Sequence, residues 1–345
     1  MKSLGKFPDR FLDEISGQPG ALRRAADAID RQRQQLDRLD RLARNASSIV
    51  FTGMGSSYDA CHSPVTQLTM QGVRAQMIDS AELLHFRLAE IDAETLVVAV
   101  SQSGESAELV RLAEALAARA EQPPLASVTN GLDNPLARAA AVALDTCAGE
   151  EHGPSTMTFA AALALLCAVA SDGAHARAAA DEMERLLADP DGDAVSLHEW
   201  LDGRATLTLV ARGCARAAAE MGALTLKEAA RMPAESLQAA QFRHGPLELA
   251  GCDLATIVFA TEPRTRHLEL KLARELAAAG GAVLVVSQDG EAPEGARSLA
   301  IGELPAGIAP AVAILPAQLL ALQLALERGR TPGEFTIASK VTTVE

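Results

Sequence analysis

Hydroxyl side chains gather in three short turns in the first half of this sequence. Thr52-Gly53-Met54-Gly55-Ser56-Ser57 closes the apolar run Ser48-Ile49-Val50-Phe51. Ser101-Gln102-Ser103-Gly104-Glu105-Ser106 follows Leu96-Val97-Val98-Ala99-Val100, and Ser155-Thr156 comes later. Hydroxyls and free backbone N–H groups converging at the carboxyl ends of strands suit a phosphate. Turns favour Ser and Gly for their own reasons, so a single turn of this kind says little. The weight comes from three in one half and their depletion in the other, where the matching turn reads Thr261-Glu262-Pro263-Arg264. A carboxylate and a proline there remove donors and add repulsion, so the expectation is one anion site, in the first half. Neither GxGxxG with a following acidic residue nor GxxxxGK[ST] occurs, which disfavours dinucleotide and Walker-type nucleotide sites.

Such turns need strands and helices to aim them. Each follows or precedes a short apolar run of the kind that forms a buried parallel strand, and Ala107 to Ala118 has helical period. Leu125 to Asn130 reads as a third strand. Strand–turn–helix repetition predicts an α/β fold with a parallel sheet between two layers of helices. The grammar restarts at Leu207-Thr208-Leu209-Val210, Thr256 to Ala260 and Val283 to Ser287, each about 160 residues after its counterpart, so the chain reads as two copies of one unit. A helical segment precedes them, its apolar stripe broken by Pro19-Gly20. Asp189-Pro190-Asp191-Gly192-Asp193 reads as the linker. The expected boundaries are a helical segment at 1–34, a first unit at 35–188, a second at 196–329 and a tail at 330–345.

The composition narrows the classes. Of 345 residues, 48% are hydrophobic and 22% charged, which excludes disorder for the bulk of the chain. Aromatics are only 3% and the net charge is −14, with no basic stripe, so no nucleic acid is expected as a partner. Five scattered cysteines form no CxxC pair and no zinc spacing, so neither a metal nor a disulfide framework is expected. The start, Met1-Lys2-Ser3-Leu4-Gly5-Lys6, lacks the apolar run of a signal peptide. The run Phe159 to Ala170 is too short to span a bilayer, and Ala306 to Leu326 reads as a buried helix containing Pro310 and Pro316. The expectation is a cytoplasmic protein with no membrane partner.

The loops Gly53 to Tyr58 and Ser101 to Ser106 resemble the sugar isomerase (SIS) domain. The whole chain, from Glu14-Ile15-Ser16-Gly17-Gln18-Pro19 onward, resembles the two-SIS isomerase half of the glutamine–fructose-6-phosphate aminotransferases. Further matching blocks are Glu150 to Phe159, Arg212-Gly213, Leu224 to Glu228, His244-Gly245-Pro246-Leu247 and Ala338 to Glu345. The fold implied is two tandem SIS-type αβα units. The resemblance implies phosphate contacts by Ser57, Ser101, Ser103 and Ser106 with Gln102 beside them, and a sugar contact by Ser155. The candidate binding set is thus Gly55, Ser56, Ser57, Ser101, Gln102, Ser103, Ser106, Ser155 and Ser339. It also implies a base at Glu228 that moves a proton between carbons 1 and 2, ring opening assisted by His244, and an imine-forming amine at Lys340. In that family the histidine reaches the neighbouring subunit's site, which implies a homodimer with shared active sites. The chemistry suits these side chains: a carboxylate for a carbon acid, an imidazole for proton shuttling near neutral pH, an amine for a ketose carbonyl.

Three departures refine the expectation. Met1 is followed by Lys2, whereas the aminotransferase places its glutaminase cysteine there, so a chain without the glutaminase half is expected. A family lysine one turn before the base aligns with Thr225. The loop Glu150-Glu151-His152-Gly153-Pro154 differs in its small apolar residues. The expected activity is deamination of glucosamine 6-phosphate to fructose 6-phosphate and ammonia, without metal or organic cofactor. The alternatives are a deglycase of a 6-phosphorylated Amadori compound, a deaminase or isomerase of the galactosamine epimer, and a phosphosugar sensor without catalysis.

Overall fold

The structure, a computed structural model, describes residues 10–168, 173–337 and 339–344. Residues 1–6 of the amino-terminal reading, the end of the apolar run at 169–170, and residues 338 and 345 of the tail block lie outside the described residues. The chain divides into two compact units. One comprises residues 20–150, 157–177 and 337–345, and the other residues 1–19, 151–156 and 178–336. They are called here the serine-loop unit and the companion unit.

The serine-loop unit is built on a five-stranded parallel sheet: β1 (Ser48–Gly53), β2 (Ala75–Asp79), β3 (Thr95–Val100), β4 (Leu125–Thr129) and β5 (Val142–Asp145), in the order β2-β1-β3-β4-β5. The three central strands are buried almost throughout, which is why they are runs of Val, Leu, Ile and Ala rather than alternating patterns. Val50, Val97 and Ala99 pack with Leu109, Leu112 and Leu116 of the helix that follows β3. The companion unit repeats the plan with β6 (Thr206–Ala211), β7 (Ala234–Gln238), β8 (Leu254–Ala260), β9 (Ala282–Ser287) and β10 (Arg297–Ala300), ordered β10-β9-β8-β6-β7. Read from its own first strand, this is the same 2-1-3-4-5 order, so the fold is the predicted α/β duplication.

Eight helices matter below: α1 (Arg10–Arg31), α2 (Arg33–Asn45), α3 (Ser56–Ala60), α4 (Ala107–Ala117), α5 (Met157–Leu166), α6 (Arg216–Ala230), α7 (Arg266–Ala278) and α8 (Leu315–Glu327). Three local expectations are corrected. Pro19-Gly20 does not break the first helix. Pro19 lacks the N–H that would bond the Ile15 carbonyl, and the Gln18 side-chain amide donates to that carbonyl instead at 3.1 Å. Gln18 also exchanges amide hydrogen bonds with Gln318 at 2.8 and 3.2 Å. The break falls at Gln32, whose side chain bonds both the N–H and the carbonyl of Asp145 on the edge strand β5. The run at 189–193 is not a linker but the start of a helix, Pro190–Leu201. Asp189 caps it by accepting from Gly192 N at 3.1 Å, with Pro190 at the first helical position. The run 306–326 forms two buried helices, Ala309–Ala313 and α8; by length and composition 309–327 suffices to cross a membrane, and its apolar stretch up to Leu326 is buried in the protein.

Candidate functional site

In a 2-1-3-4-5 sheet the strand order reverses between β1 and β3, and ligands bind outside the carboxyl ends of the strands at that point. Both serine-rich turns open there, because β1 ends at Gly53 and β3 at Val100. A small pocket lies between them, lined by Ser56, Ser57, Ser101, Gln102, Asn130, Thr146 and Thr158, with Val100, Val128, Phe159 and Ala162 as its apolar wall. Four of the predicted binding residues thus line one pocket. Gly55, Ser103 and Ser106 belong to the same two loops.

The second loop holds its shape through its own hydroxyls. Ser101 is buried, and its Oγ accepts from Gly104 N at 3.1 Å and lies 3.4 Å from Ser106 Oγ. Ser103 Oγ accepts from Glu105 N at 3.1 Å. Gly104 sits at φ +66°, where a side chain is strained, and a Cβ there would overlap the Asn134 side-chain amide. Ser106 is the N-cap residue of α4, yet its hydroxyl does not bond the helix. The loop therefore presents hydroxyls at a helix start that are not consumed by capping, an arrangement able to hold a small anion.

The carboxyl-terminal tail docks on this same unit. The Thr342 carbonyl accepts from Ala107 N at 3.1 Å, in the first turn of α4. Two residues earlier stands Lys340, half-buried, preceded by the exposed Ser339, whose hydroxyl donates to the Val341 carbonyl at 2.7 Å. The structure thus brings Lys340 and Ser339 into the unit that carries the serine loops.

Ser155, Glu228 and His244 belong to the companion unit. Glu228 lies in the last turns of α6, half-buried, beside the exposed Lys227. Thr225, where the resemblance places a lysine, is fully buried and donates its hydroxyl to the Met221 carbonyl at 2.9 Å. His244 is exposed in the turn after the short helix Ala239–Phe242. Ser155 is half-buried in the irregular loop 151–156.

The companion sheet has its own switch point, between β6 and β8, and it is filled from within. Glu262 is 7% exposed and its Oε2 accepts from Cys214 N at 3.3 Å. Arg212 forms an ion pair with the fully buried Glu269 of α7. Burial pushes the Glu269 carboxyl above its usual range, and the Arg212 guanidinium opposes that. A carboxylate here occupies an N–H group that a ligand anion would need, as the turn Thr261 to Arg264 predicted.

The residues that sequence reasoning missed are Asn130, Thr146 and Thr158. Asn130 Oδ1 accepts from Thr146 Oγ1 at 3.1 Å and from Ala148 N at 2.9 Å, while its Nδ2 donates to the Gly149 carbonyl at 2.8 Å. The available signal was position: Asn130 immediately follows β4, and so stands at the ligand-binding end of the sheet.

Comparison with known proteins puts names to this arrangement. The model describing the SIS domain matches residues 42–171 and 202–328. The chain is 28% identical over 360 residues to the glutamine–fructose-6-phosphate aminotransferase (isomerizing) of Pyrobaculum aerophilum, covering 100% of this chain and 59% of that protein. The chain thus spans about three-fifths of that relative's length. Among solved structures it resembles tagatose-6-phosphate ketose/aldose isomerase from Escherichia coli, with a TM-score of 0.82, 20% identity, and coverage of 99% of this chain and 98% of that one. It also resembles glucosamine-6-phosphate deaminase from Thermotoga maritima, with a TM-score of 0.76, 18% identity, and coverage of 96% and 99%.

Proposed function

The chain belongs to the SIS domain family, and from that premise we propose that it is an aldose–ketose isomerase and deaminase of a phosphorylated amino sugar. The proposed reaction converts glucosamine 6-phosphate and water to fructose 6-phosphate and ammonia. The observation that carries this reading is the pocket at the β1/β3 switch point, with Ser56, Ser57, Ser101 and Gln102 on its wall. The phosphate anchors there, on hydroxyls and helix-start N–H groups.

The chemistry then needs three further groups, whose roles the family resemblance assigns. His244 assists opening of the sugar ring by moving a proton between the ring oxygen and the anomeric hydroxyl. Glu228 removes the proton on carbon 2 and a proton is returned to carbon 1, while the amine gives up one proton and the carbonyl oxygen takes one, so the aldehyde becomes an alcohol and carbon 2 an imine. Water adds to that imine and ammonia leaves, giving the ketose. Lys340 is the amine able to form an imine with the ketose carbonyl. His244 is exposed on its own chain, which suits service to a second copy in a homodimer with shared sites.

A second reading keeps the mechanism and changes the sugar. The fold is shared with tagatose-6-phosphate ketose/aldose isomerase from Escherichia coli, so the galactose series is tested alongside. The test is ammonia release and ketose formation from glucosamine 6-phosphate and galactosamine 6-phosphate, with tagatose 6-phosphate assayed for isomerisation. Glucosamine 6-phosphate turnover is expected. Turnover confined to the galactose series would move the specificity, and phosphosugar binding without any turnover would make the chain a sensor.

A further inference from the structure

Six residues, 151–156, carry Ser155 from the end of the β5 region to the start of α5, whose Thr158 lines the anion pocket. They form no helix or strand, so something other than a backbone ladder must fix them. Two buried carboxylates do so. Glu14 of α1 is 5% exposed; its Oε1 accepts from His152 N at 2.5 Å and Gly153 N at 3.3 Å, and its Oε2 lies 3.1 Å from Gly153 N. At the other end Glu151, 6% exposed, accepts from Thr156 N at 2.8 Å and Thr156 Oγ1 at 3.1 Å. Ser155 stands between the two anchors.

The Glu14 anchor comes from an element far away in sequence, and it is tightly packed. A Cβ on Gly153 would sit 2.9 Å from Glu14 Oε2, 3.4 Å from Phe11 Cδ2 and 3.7 Å from the Gly333 carbonyl. A methyl group on Gly153 would therefore displace the Glu14 carboxylate from the loop, while Phe11 and Gly333 lie at ordinary contact distance. Charge-assisted bonds from backbone N–H to a buried carboxylate are short and strong, and their loss leaves donors buried without partners.

We infer that Glu14 is a positioning residue of the sugar site, holding the loop 151–156 so that Ser155 meets the substrate. This rests on the function proposed above. It adds α1 to the parts that set turnover. Small misplacements of a substrate-contacting group are enough to lower rate by one to two orders of magnitude.

The test is a double-mutant cycle between Glu14→Gln and Ser155→Ala, read as kcat and KM on whichever phosphosugar the wild-type chain turns over, or as its Kd if it only binds. Inorganic phosphate affinity by calorimetry is measured in parallel. Glu14→Gln should lower kcat/KM by about tenfold or more, with phosphate affinity within about twofold of wild type. In the Ser155→Ala background the same change should add less than about twofold. Glu14→Asp, which keeps the charge and withdraws it from the loop, is read in place of Glu14→Gln if thermal melts show the latter unfolded. Independent, multiplicative losses, or a parallel loss of phosphate affinity, would overturn this inference while leaving the function intact. A wild-type chain that binds no phosphosugar overturns the function and this inference together.

Discussion

Ser101 and Ser57 line the same pocket but answer to different demands. The Ser101 hydroxyl already accepts from Gly104 N and so belongs to the loop's internal scaffold as well as to its surface. Ser57 lines the pocket from the first turn of α3. Ser101→Ala should therefore lower both phosphate affinity and stability, the latter by about 1 kcal/mol. Ser57→Ala should weaken phosphate or phosphosugar binding by roughly 1.5–3 kcal/mol, the worth of a hydrogen bond to a charged group, with a smaller effect on melting. Calorimetric titration and thermal melts of the two variants check the contrast. Glu269 supplies a pH prediction. Its carboxyl titrates above the ordinary value of 4.5 because it is buried, so over the window that opens at about pH 4.5 the folded state binds more protons than the unfolded one. Stability contributed by this group is thus greatest below that window and declines as pH rises through the raised value. Glu269→Gln should flatten that decline in denaturant midpoints measured from pH 4 to 7. Arg212→Ala should be far more damaging, by about 3–5 kcal/mol, because it leaves a buried carboxylate without its cation.

At the scale of elements, the serine loop depends on Gly104 and the cap behind it. Asn134 accepts from Ala137 N at 2.8 Å and donates to the Gly131 carbonyl at 2.9 Å, and its amide lies where a Cβ on Gly104 would be. Gly104→Ala should cost more than about 1 kcal/mol through strain at positive φ. It should also cost phosphate affinity, since the displaced amide and the loop move together; denaturant unfolding and titration of the variant measure both. What could be read of these elements before folding follows from their burial. β1, β3, β4, β6, β8 and β9 are long apolar runs because both of their faces are covered, and they were legible. Three of the four edge strands, β2, β7 and β10, are only partly buried and mix polar with apolar residues, as in Ala75-Gln76-Met77-Ile78-Asp79 and Arg297-Ser298-Leu299-Ala300, so periodicity did not mark them. Pro19 misled because the compensating donor is a neighbouring side chain, Gln18, which no local propensity registers. Asp189-Pro190-Asp191-Gly192-Asp193 misled because the same residues that make turns also cap helices.

At the scale of the whole molecule, one topology is used twice and two different things are done with it. The serine-loop unit leaves its switch point lined with hydroxyls, while the companion unit closes the equivalent point with Glu262 on Cys214 N and with the Arg212–Glu269 pair. The prediction is one phosphate or phosphosugar bound per chain by calorimetry, abolished or greatly weakened by Ser101→Ala; a stoichiometry of two would contradict it. The serine loops were legible as turns at strand ends because their residues are contiguous and follow recognisable strands. Asn130, Thr146 and Thr158 were not, since three sequence-distant residues meet only once the sheet and α5 are in place. Glu14 was visible only as part of a family-like block, and its bonds to His152 N and Gly153 N had no sequence signal. The central claim is that this anion pocket serves an amino-sugar phosphate whose carbon-2 proton is taken by Glu228. Its most direct test is ammonia release from glucosamine 6-phosphate by the wild-type chain and by Glu228→Gln, with phosphosugar affinity measured for both. The account predicts ammonia from the wild type, a loss of about 10²–10⁴-fold in the variant, and an affinity that is nearly unchanged. Equal turnover by the two proteins, or no turnover despite tight binding, would contradict it.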